Sequence, residues 1–415
     1  MLKSTTINDQ YELALGDDIR ILIVGAGVAG ITAAQMLRRD GRHPVLIERN
    51  KDEGHPGYML ALMPMVDQAL DDLGVREHYR KNSIPLARYG FHTHTGRMVR
   101  ADSMASILDR YGDYRGIARG KLIETLTSDL CNVSFETTVT AISESLSGTN
   151  VTFKAESESR QLEFDLIIIA DGLHSTTRDL ILDGDTVDVV DTKWGGWVVW
   201  APEDTNMDLG EELWGAGFFL GIYPVKGELG VFLGGPRADT KVGPSPFVTE
   251  VRRKLTSISP RLDSSLNAII NDPAPYYWSL QDCKAPVWSS SNVVLLGDAA
   301  AGFLPTAGIG AGMAMESAWI LARILRYAQP GNVNSLLQAY EKVQRPRVET
   351  AQNTSRRLAG LMFHRSRAIA VLRDVTMRFV SVEAAIKPIQ KLLANQPNPD
   401  HVAKEALKQI NESDF

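Results

Sequence analysis

The stretch "IRILIVGAGVAGITAAQMLRRDGRHPVLIERN", residues 19–50, constrains this chain more than any other. An apolar run at 20–24 gives way to spaced glycines, then a helical pattern from about 28 to 39, then a second apolar run at 44–48. Two short buried strands joined by a helix predict a parallel β–α–β unit, and with it an α/β fold. Gly25, Gly27 and Gly30 stand in GxGxxG spacing. The first permits a tight turn, the second lets a pyrophosphate approach the backbone, and the third lets helix and strand pack closely. Val28 and Ala29 open the helix, where free N–H groups and the helix dipole favour phosphate. Glu48 closes the second strand, where a carboxylate can hold both ribose hydroxyls of an adenosine, and Arg49 follows it. A plain glycine-rich turn accounts for the spacing alone, but not for the strand, the helix and the acidic residue around it.

The rest of the chain divides by pattern. Residues 1–19 are polar and read as a mobile leader, and 58–81 as a short helical region. "RYGFHTHTGRMVR" alternates and turns at Thr95-Gly96, as a hairpin does, and "YRGIARGKLIETLTSDL" is helical after Arg119. A meander of short strands follows and closes on a buried one, Leu166–Ala170. From 186 to 280 strands rich in Trp, Tyr and Phe dominate, and from 312 onward the pattern is almost wholly helical.

GxGxxG does not distinguish one dinucleotide from another. The segment "NVVLLGDAAAGFLPTAGIGAGMAMESA" does. A buried strand ends in Gly297-Asp298, which sets a carboxylate at the carboxyl edge of a sheet; a glycine-broken loop then leads into a helix. That helix start can point N–H groups at an electron-rich ring edge, and its glycines let the backbone touch it. The segment resembles the "GD" motif of the class A flavoprotein monooxygenases, the para-hydroxybenzoate hydroxylase-like family. "DLIIIADGLHSTTR" resembles the family's DGxxSxxR signature, with Asp171, Gly172, Ser175 and Arg178. "IARGKLIETL" resembles its arginine-then-leucine helix start, and "AYEKVQRPRVETAQNTSR" its tail after the flavin helix. The resemblance runs from about residue 20 to 357 with the motifs in family order.

The resemblance implies a Rossmann-like FAD-binding domain in two parts, 20–185 and 281–345. Between them lies an antiparallel β-sheet substrate domain, 186–280, to which the hairpin near 88–100 contributes, and 346–415 is a helical tail. It implies that Asp298 binds the ribityl chain of FAD and that Pro305, Gly308, Ile309, Gly310 and Ala311 cradle the isoalloxazine ring. It further implies FAD contacts from Arg119 and joint FAD and NAD(P)H contacts from Asp171, Gly172 and Arg178. The implied activity is hydroxylation of an aromatic or polycyclic small molecule with NAD(P)H and O₂, through a flavin C4a-hydroperoxide. No catalytic residue is assigned. A flavin halogenase or dehydrogenase on the same fold, and a flavoprotein without turnover, are the alternatives. A halogenase calls for a pocket lysine and an intact tryptophan motif, whereas "WGGWVVWAP" spaces Trp197 and Trp200 three apart and lacks the isoleucine. Three departures from the family stand out: Ala301 for the usual His, Gly312 for Asn, and Glu316 for Asp.

Composition excludes other classes. A net charge of -6 offers no basic excess to attract nucleic acid. Cys131 and Cys283 form no CxxC pair, which argues against a disulfide scaffold, a zinc site or a dithiol centre and suits a reducing cytoplasm. No apolar signal or membrane span is evident in the pattern, so a cytoplasmic monomer or homodimer is expected. His92 and His94 share a strand face but lack a third metal ligand, so no metal is expected. The basic helix in "RRLAGLMFHRSRAIAVLRDVTMRFV" is expected to pack on the body with its basic face in solvent.

Overall fold

A computed structural model describes residues 1–51, 57–145, 148–155 and 158–413. Its centre is a five-stranded sheet in the order Ser289–Ser290, Val293–Leu295, Leu166–Ile169, Ile21–Val24, Val45–Ile47. The last four strands are parallel, and every residue in them is buried. Continuous Ile, Leu and Val runs of this kind fit strands covered on both faces. The Val28–Arg39 and Gly310–Leu325 helices pack on one another above this sheet. Arg38 and Arg39 close the first of them, where its dipole favours cations.

Residues 1–19 are no mobile leader. Leu2–Ser4 is a strand paired in parallel with Cys131–Val133, and Ile7–Ala14 is a helix whose Thr6 cap accepts the Asp9 N–H. Ile7, Ala14 and Ile19 are buried. Gln10 completes the anchoring, accepting the Leu46 N–H at 2.9 Å and donating to the Leu46 carbonyl at 3.2 Å. Likewise 58–81 opens on a strand, Met59–Leu62, paired with Arg115–Ala118, before its helices Asp67–Asp72 and Arg76–Asn82.

The second sheet has seven strands in the order Tyr276–Lys284, Asp188–Pro202, Glu228–Pro236, Phe219–Val225, Leu209–Trp214, Arg88–His92, Met98–Ser103. The hairpin expected near 88–100 forms over 88–103, and it joins this sheet through a parallel pairing of Arg88–His92 with Leu209–Trp214. Alternation sorts the side chains by face. Trp197, Val199, Leu220, Ile222 and Val231 pack under the helices Pro244–Lys254 and Pro260–Asn271. Trp194, Val198, Trp214, Phe219, Phe232 and Leu280 face the other way. Each such side chain, fully buried, contributes roughly 1.5–3 kcal/mol.

One long helix, Val333–Met362, runs along both sheets. Gln352 donates to the carbonyls of Cys283 (2.7 Å) and Gly302 (2.6 Å). Arg356 holds Asp282 through two 2.8–2.9 Å contacts and Asp188 through one of 2.8 Å. The next helix, Arg367–Met377, keeps Arg367 in solvent as expected but departs at its middle: Ala370, Arg373 and Asp374 are buried, while Val371, Leu372 and Val375 are exposed. Arg373 turns inward because its guanidinium finds the carbonyls of Leu361 and Trp214 and lies 5.5 Å from the Trp214 ring centroid. Asp374 accepts from His94, whose Nδ1 stands at 2.6 Å.

Candidate functional site

Three turns meet at the carboxyl edge of the parallel sheet, where open α/β sheets hold their ligands. The first is the glycine turn. Gly25 adopts a φ of 103°, and a Cβ there would stand 2.5 Å from the Ala170 carbonyl. A Cβ on Gly30 would stand 1.9 Å from the Gly25 carbonyl, so helix and strand touch only because both are glycine. Gly27 is different. Nothing lies within 4 Å of its Cβ position, and it caps the Val28–Arg39 helix without a side-chain hydrogen bond. The first N–H groups of that helix have no intrahelical acceptor, and no side chain caps them. Gly30 is a packing residue behind the turn; Gly25, Gly27, Val28 and Ala29 line a cavity.

Glu48 stands at the end of the adjoining strand with its carboxylate already fixed. Its Oε2 accepts the Ala26 N–H at 3.0 Å, and its Oε1 accepts the backbone and side-chain N–H groups of Asn50, both at 2.9 Å. Arg49 and Arg119 lie on the same cavity wall. The Arg119 N–H donates to the Tyr58 carbonyl at 2.9 Å.

The second turn is Asp171-Gly172. Asp171 accepts the Thr177 N–H at 3.3 Å through Oδ2, and its Oδ1 is buried with no partner among the described residues. Gly172 has a φ of 89° and open space at its Cβ position. Arg178 does not reach the cavity. It is 6% exposed and donates to the Ala299 carbonyl at 3.0 Å and the Leu173 carbonyl at 3.3 Å. Ser175 is buried beside it and accepts the Arg178 N–H at 2.9 Å. The SxxR half of that signature thus ties the loop to the neighbouring helix and does not line the cavity.

The third turn carries Asp298. Gly297 supplies a φ of 61°, with a Cβ position 2.8 Å from the Ala29 side chain. The Asp298 side chain opens onto the cavity, but the surrounding protein withholds bulk water and pushes its carboxyl up to about 6. Pro305, Gly308, Gly310 and Ala311 continue the wall, and Ile309 is buried behind it. Gly308 is left-handed, at φ 62° and ψ 19°, with open space at its Cβ position. At Gly310 a Cβ would press on Phe303, 3.0 Å away.

Two of the three departures have local causes, and nothing in the structure explains Ala301. Gly312 leaves room for Met65, whose sulfur would lie 2.9 Å from a Cβ there. Glu316 is wholly buried and pairs with Arg347 at 2.6 and 2.9 Å, which fastens the Gly310–Leu325 helix to the long helix. His92 and His94 each hold a carbonyl or carboxylate, and among the described residues no cluster suits a metal.

The cavity, about 530 Å³, continues from these turns to the inner face of the seven-stranded sheet. There it is walled by Phe91, Val198, Trp214, Phe219, Phe232, Trp278 and Leu280. Glu212, Tyr223, Tyr89, Arg100 and Asp102 also line it, and none of these is singled out by the sequence reading. The available signal was "LGEELW", a strand with two carboxylates among apolar residues. Glu211 points to His92 and Arg261 on one face and Glu212 to the cavity on the other.

Residues 18–208 and 245–355 match the protein family described as "FAD binding domain". The chain belongs to this FAD-binding family. It is 28% identical over 371 residues to a salicylate hydroxylase of Pseudomonas putida, covering 81% of this chain and 84% of the relative. It is 28% identical over 321 residues to the 2-heptyl-3-hydroxy-4(1H)-quinolone synthase of Pseudomonas aeruginosa, covering 73% and 80%. Klebsiella pneumoniae HpxO, solved with FAD and uric acid, shares the fold: TM-score 0.79 at 21% identity, covering 91% of this chain and 97% of that one. Family membership agrees with the resemblance to class A flavoprotein aromatic hydroxylases. The residues fit FAD on local grounds too: helix-start N–H groups with no side-chain cap beside Gly27, a fixed carboxylate at Glu48 and, among the described residues, an unpartnered Asp171 oxygen and an Asp298 carboxyl without a donor.

Proposed function

We propose that this protein is an FAD-dependent monooxygenase that hydroxylates an aromatic small molecule, with NAD(P)H as reductant. The observation that carries the reading is the single cavity joining the carboxyl edge of the parallel sheet to an aromatic wall. Bound FAD would supply hydride acceptance from NAD(P)H and activation of O₂, one oxygen atom going to the ring and the other to water.

The chain's own residues have separable tasks. The Val28–Arg39 helix start binds pyrophosphate, and Glu48 accepts from the adenosine ribose. Asp298 accepts from the ribityl hydroxyls, and Pro305 to Ala311 bring backbone against the ring system. The sheet aromatics orient a planar substrate and exclude water from the reacting edge. The described residues hold one GxGxxG turn, so NAD(P)H is a transient visitor near Asp171 and Gly172 and not a resident of a second fold. The halogenase alternative calls for a pocket lysine, and the cavity wall has none among the described residues.

The test is direct. Purified protein is expected to carry FAD, identified by its absorbance and by chromatography after release. NAD(P)H oxidation should accelerate with phenols or quinolones, and ¹⁸O₂ should label the product. Absence of flavin, or oxidation without oxygen incorporation for every aromatic tried, would reject the reading.

A further inference from the structure

The Arg367–Met377 helix turns its apolar side outward. Ala368, Val371, Leu372 and Val375 fall at i, i+3, i+4 and i+7, which is one face of a helix, and all four are exposed. Phe379, at i+11, extends the stripe through the following turn, where its N–H donates to the Thr376 carbonyl at 3.0 Å. Leu372 is 65% exposed and Phe379 83%. The opposite face, with Ala370, Arg373 and Asp374, is the one that meets the protein. Helices ordinarily pack the apolar face and hydrate the polar one. A contiguous apolar strip left outside marks a surface that something covers.

The charges bordering the strip say what covers it. Arg367 and Arg378, at i and i+11, share the edge beside Val371; both are exposed, and neither has an acidic partner among the described residues. Arg365 is exposed too, but it is held by Asp239 at 3.0 Å. Asp374 is the one acid between 361 and 380, and it is buried against His94. The 88–103 hairpin lies along the same edge, tied to it by His94 and by Arg100, which donates to the Val380 carbonyl at 3.0 Å. It adds exposed Arg97 and Met98. Beyond the strip Glu383 and Lys387 are both exposed and offset one another. Against a net charge of -6, this basic border decides which side of the molecule an anionic surface attracts.

A second copy of the chain fits poorly. A two-fold contact sets the same face against itself, so Arg367 and Arg378 of each copy would approach arginines and find no acid on the strip. An anionic lipid surface answers both features, with acyl chains for the apolar strip and phosphates for its basic edge. We propose that residues 367–380 dock this protein peripherally on an anionic lipid surface, Leu372 and Phe379 entering the acyl boundary and Arg367 and Arg378 meeting the headgroups. Among the described residues no helix is long and apolar enough to cross a membrane, so the contact is with the surface. Met377 and Val380 also line the cavity, and docking therefore sets that wall of the cavity beside the lipid.

The experiment floats the full-length protein with vesicles of phosphatidylcholine alone and of an equal mixture of phosphatidylcholine and phosphatidylglycerol. The protein should rise with the mixed vesicles and bind the neutral ones about tenfold or more weakly, and high salt should narrow that difference. Leu372→Ser with Phe379→Ser should cost about tenfold or more on mixed vesicles, with the melting temperature kept because both side chains are exposed. Arg367→Gln with Arg378→Gln should bind the mixed vesicles about as weakly as the unaltered protein binds neutral ones. No flotation with mixed vesicles, equal binding to both compositions, or full binding by the serine pair would overturn the proposal. Sedimentation of the unaltered protein as a dimer that the serine pair splits would give the face to a second copy and overturn it as well. If a variant does not fold, the preference of the unaltered protein between the two compositions decides. Flotation follows the protein and not turnover, so its failure leaves the monooxygenase reading untouched.

Discussion

Arg178 donates to the carbonyl oxygen of Ala299 at 3.0 Å, across the gap between two turns that border the cavity. The short helix it holds, Asp298–Ala301, begins with the carboxylate assigned to the ribityl chain. Arg178→Met removes a buried, charged donor, takes that donor from the Ala299 carbonyl and leaves Leu173 only the weak Cys283 thiol, at a cost of roughly 1–3 kcal/mol. The apo-protein should melt several degrees lower and flavin content should fall with it. An arginine acting only on the ligand would lower flavin content and leave the apo-protein melting temperature unchanged.

Asp298 makes apo-protein stability depend on pH in a particular direction. Its carboxyl in the folded state titrates at about 6, above the ordinary value for an aspartate near 4. A raised acid binds its proton more tightly when folded, so stability falls as pH climbs from about 4 to about 6 and levels above that. Asp298→Asn should match the parent melting temperature at pH 4 and exceed it at pH 7. Flavin hydroxyls favour the ionised form, so FAD binding near pH 6 should release protons. Calorimetry in two buffers of different ionisation enthalpy reads that release, which the variant should lack.

Glu48→Ala should weaken FAD without unfolding the chain, because the residue sits at a half-buried strand end. Each lost charge-assisted hydrogen bond to the ribose costs roughly 1.5–3 kcal/mol, about tenfold or more in affinity. Asn50 would lose its two contacts as well, so Asn50→Ala should reproduce a minor part of the effect. Flavin fluorescence titration checks both, and an unchanged affinity in Glu48→Ala would reject the ribose assignment.

The two loop glycines should respond differently to alanine. Gly308 is left-handed, so Gly308→Ala costs roughly 1–2 kcal/mol of backbone strain and extends a methyl into the cavity. Gly310→Ala meets Phe303 and must displace it by a few tenths of an ångström. Phe303 lines the cavity, so we expect altered flavin binding and more hydrogen peroxide per NAD(P)H consumed, with no gain in apo-protein melting temperature. A Gly310→Ala protein that melts higher and couples normally would make this stretch an ordinary helix start.

The cofactor half of the molecule could be read from the chain because its signals are local. Gly25 and Gly30 are where backbone crowds backbone, Gly297 is where the backbone presses on the Ala29 side chain, and Glu48, Asp171 and Asp298 each close a buried apolar run. Arg178 lies away from the cavity because a motif gives a residue's neighbours in sequence, and its partners, Leu173 and Ala299, include one far along the chain. The substrate half was less readable for the same reason. Whether Glu211 or Glu212 faces the cavity depends on pairing with strands at 88–92 and 219–225, which alternation alone does not fix. The first residues look solvent-loving because Gln10 serves a backbone edge at Leu46, a role that composition disguises. The Arg367–Met377 helix shows the converse, with an arginine and an aspartate turned inward to meet backbone and histidine.

The Val333–Met362 helix touches both halves, and at 30 residues it is roughly 45 Å long. Arg347 grips the cofactor-side helix, Gln352 the join between sheets, and Arg356 the substrate-side strands, while Leu358 and Met362 reach the cavity itself. The spacing between the two ends of the cavity is therefore held by one beam with three clamps. Transplanting the aromatic sheet alone into a related scaffold would leave that spacing to the host. The portable module is sheet and beam together, and a chimera cut between them should keep its flavin yet lose the alignment on which oxygen transfer depends.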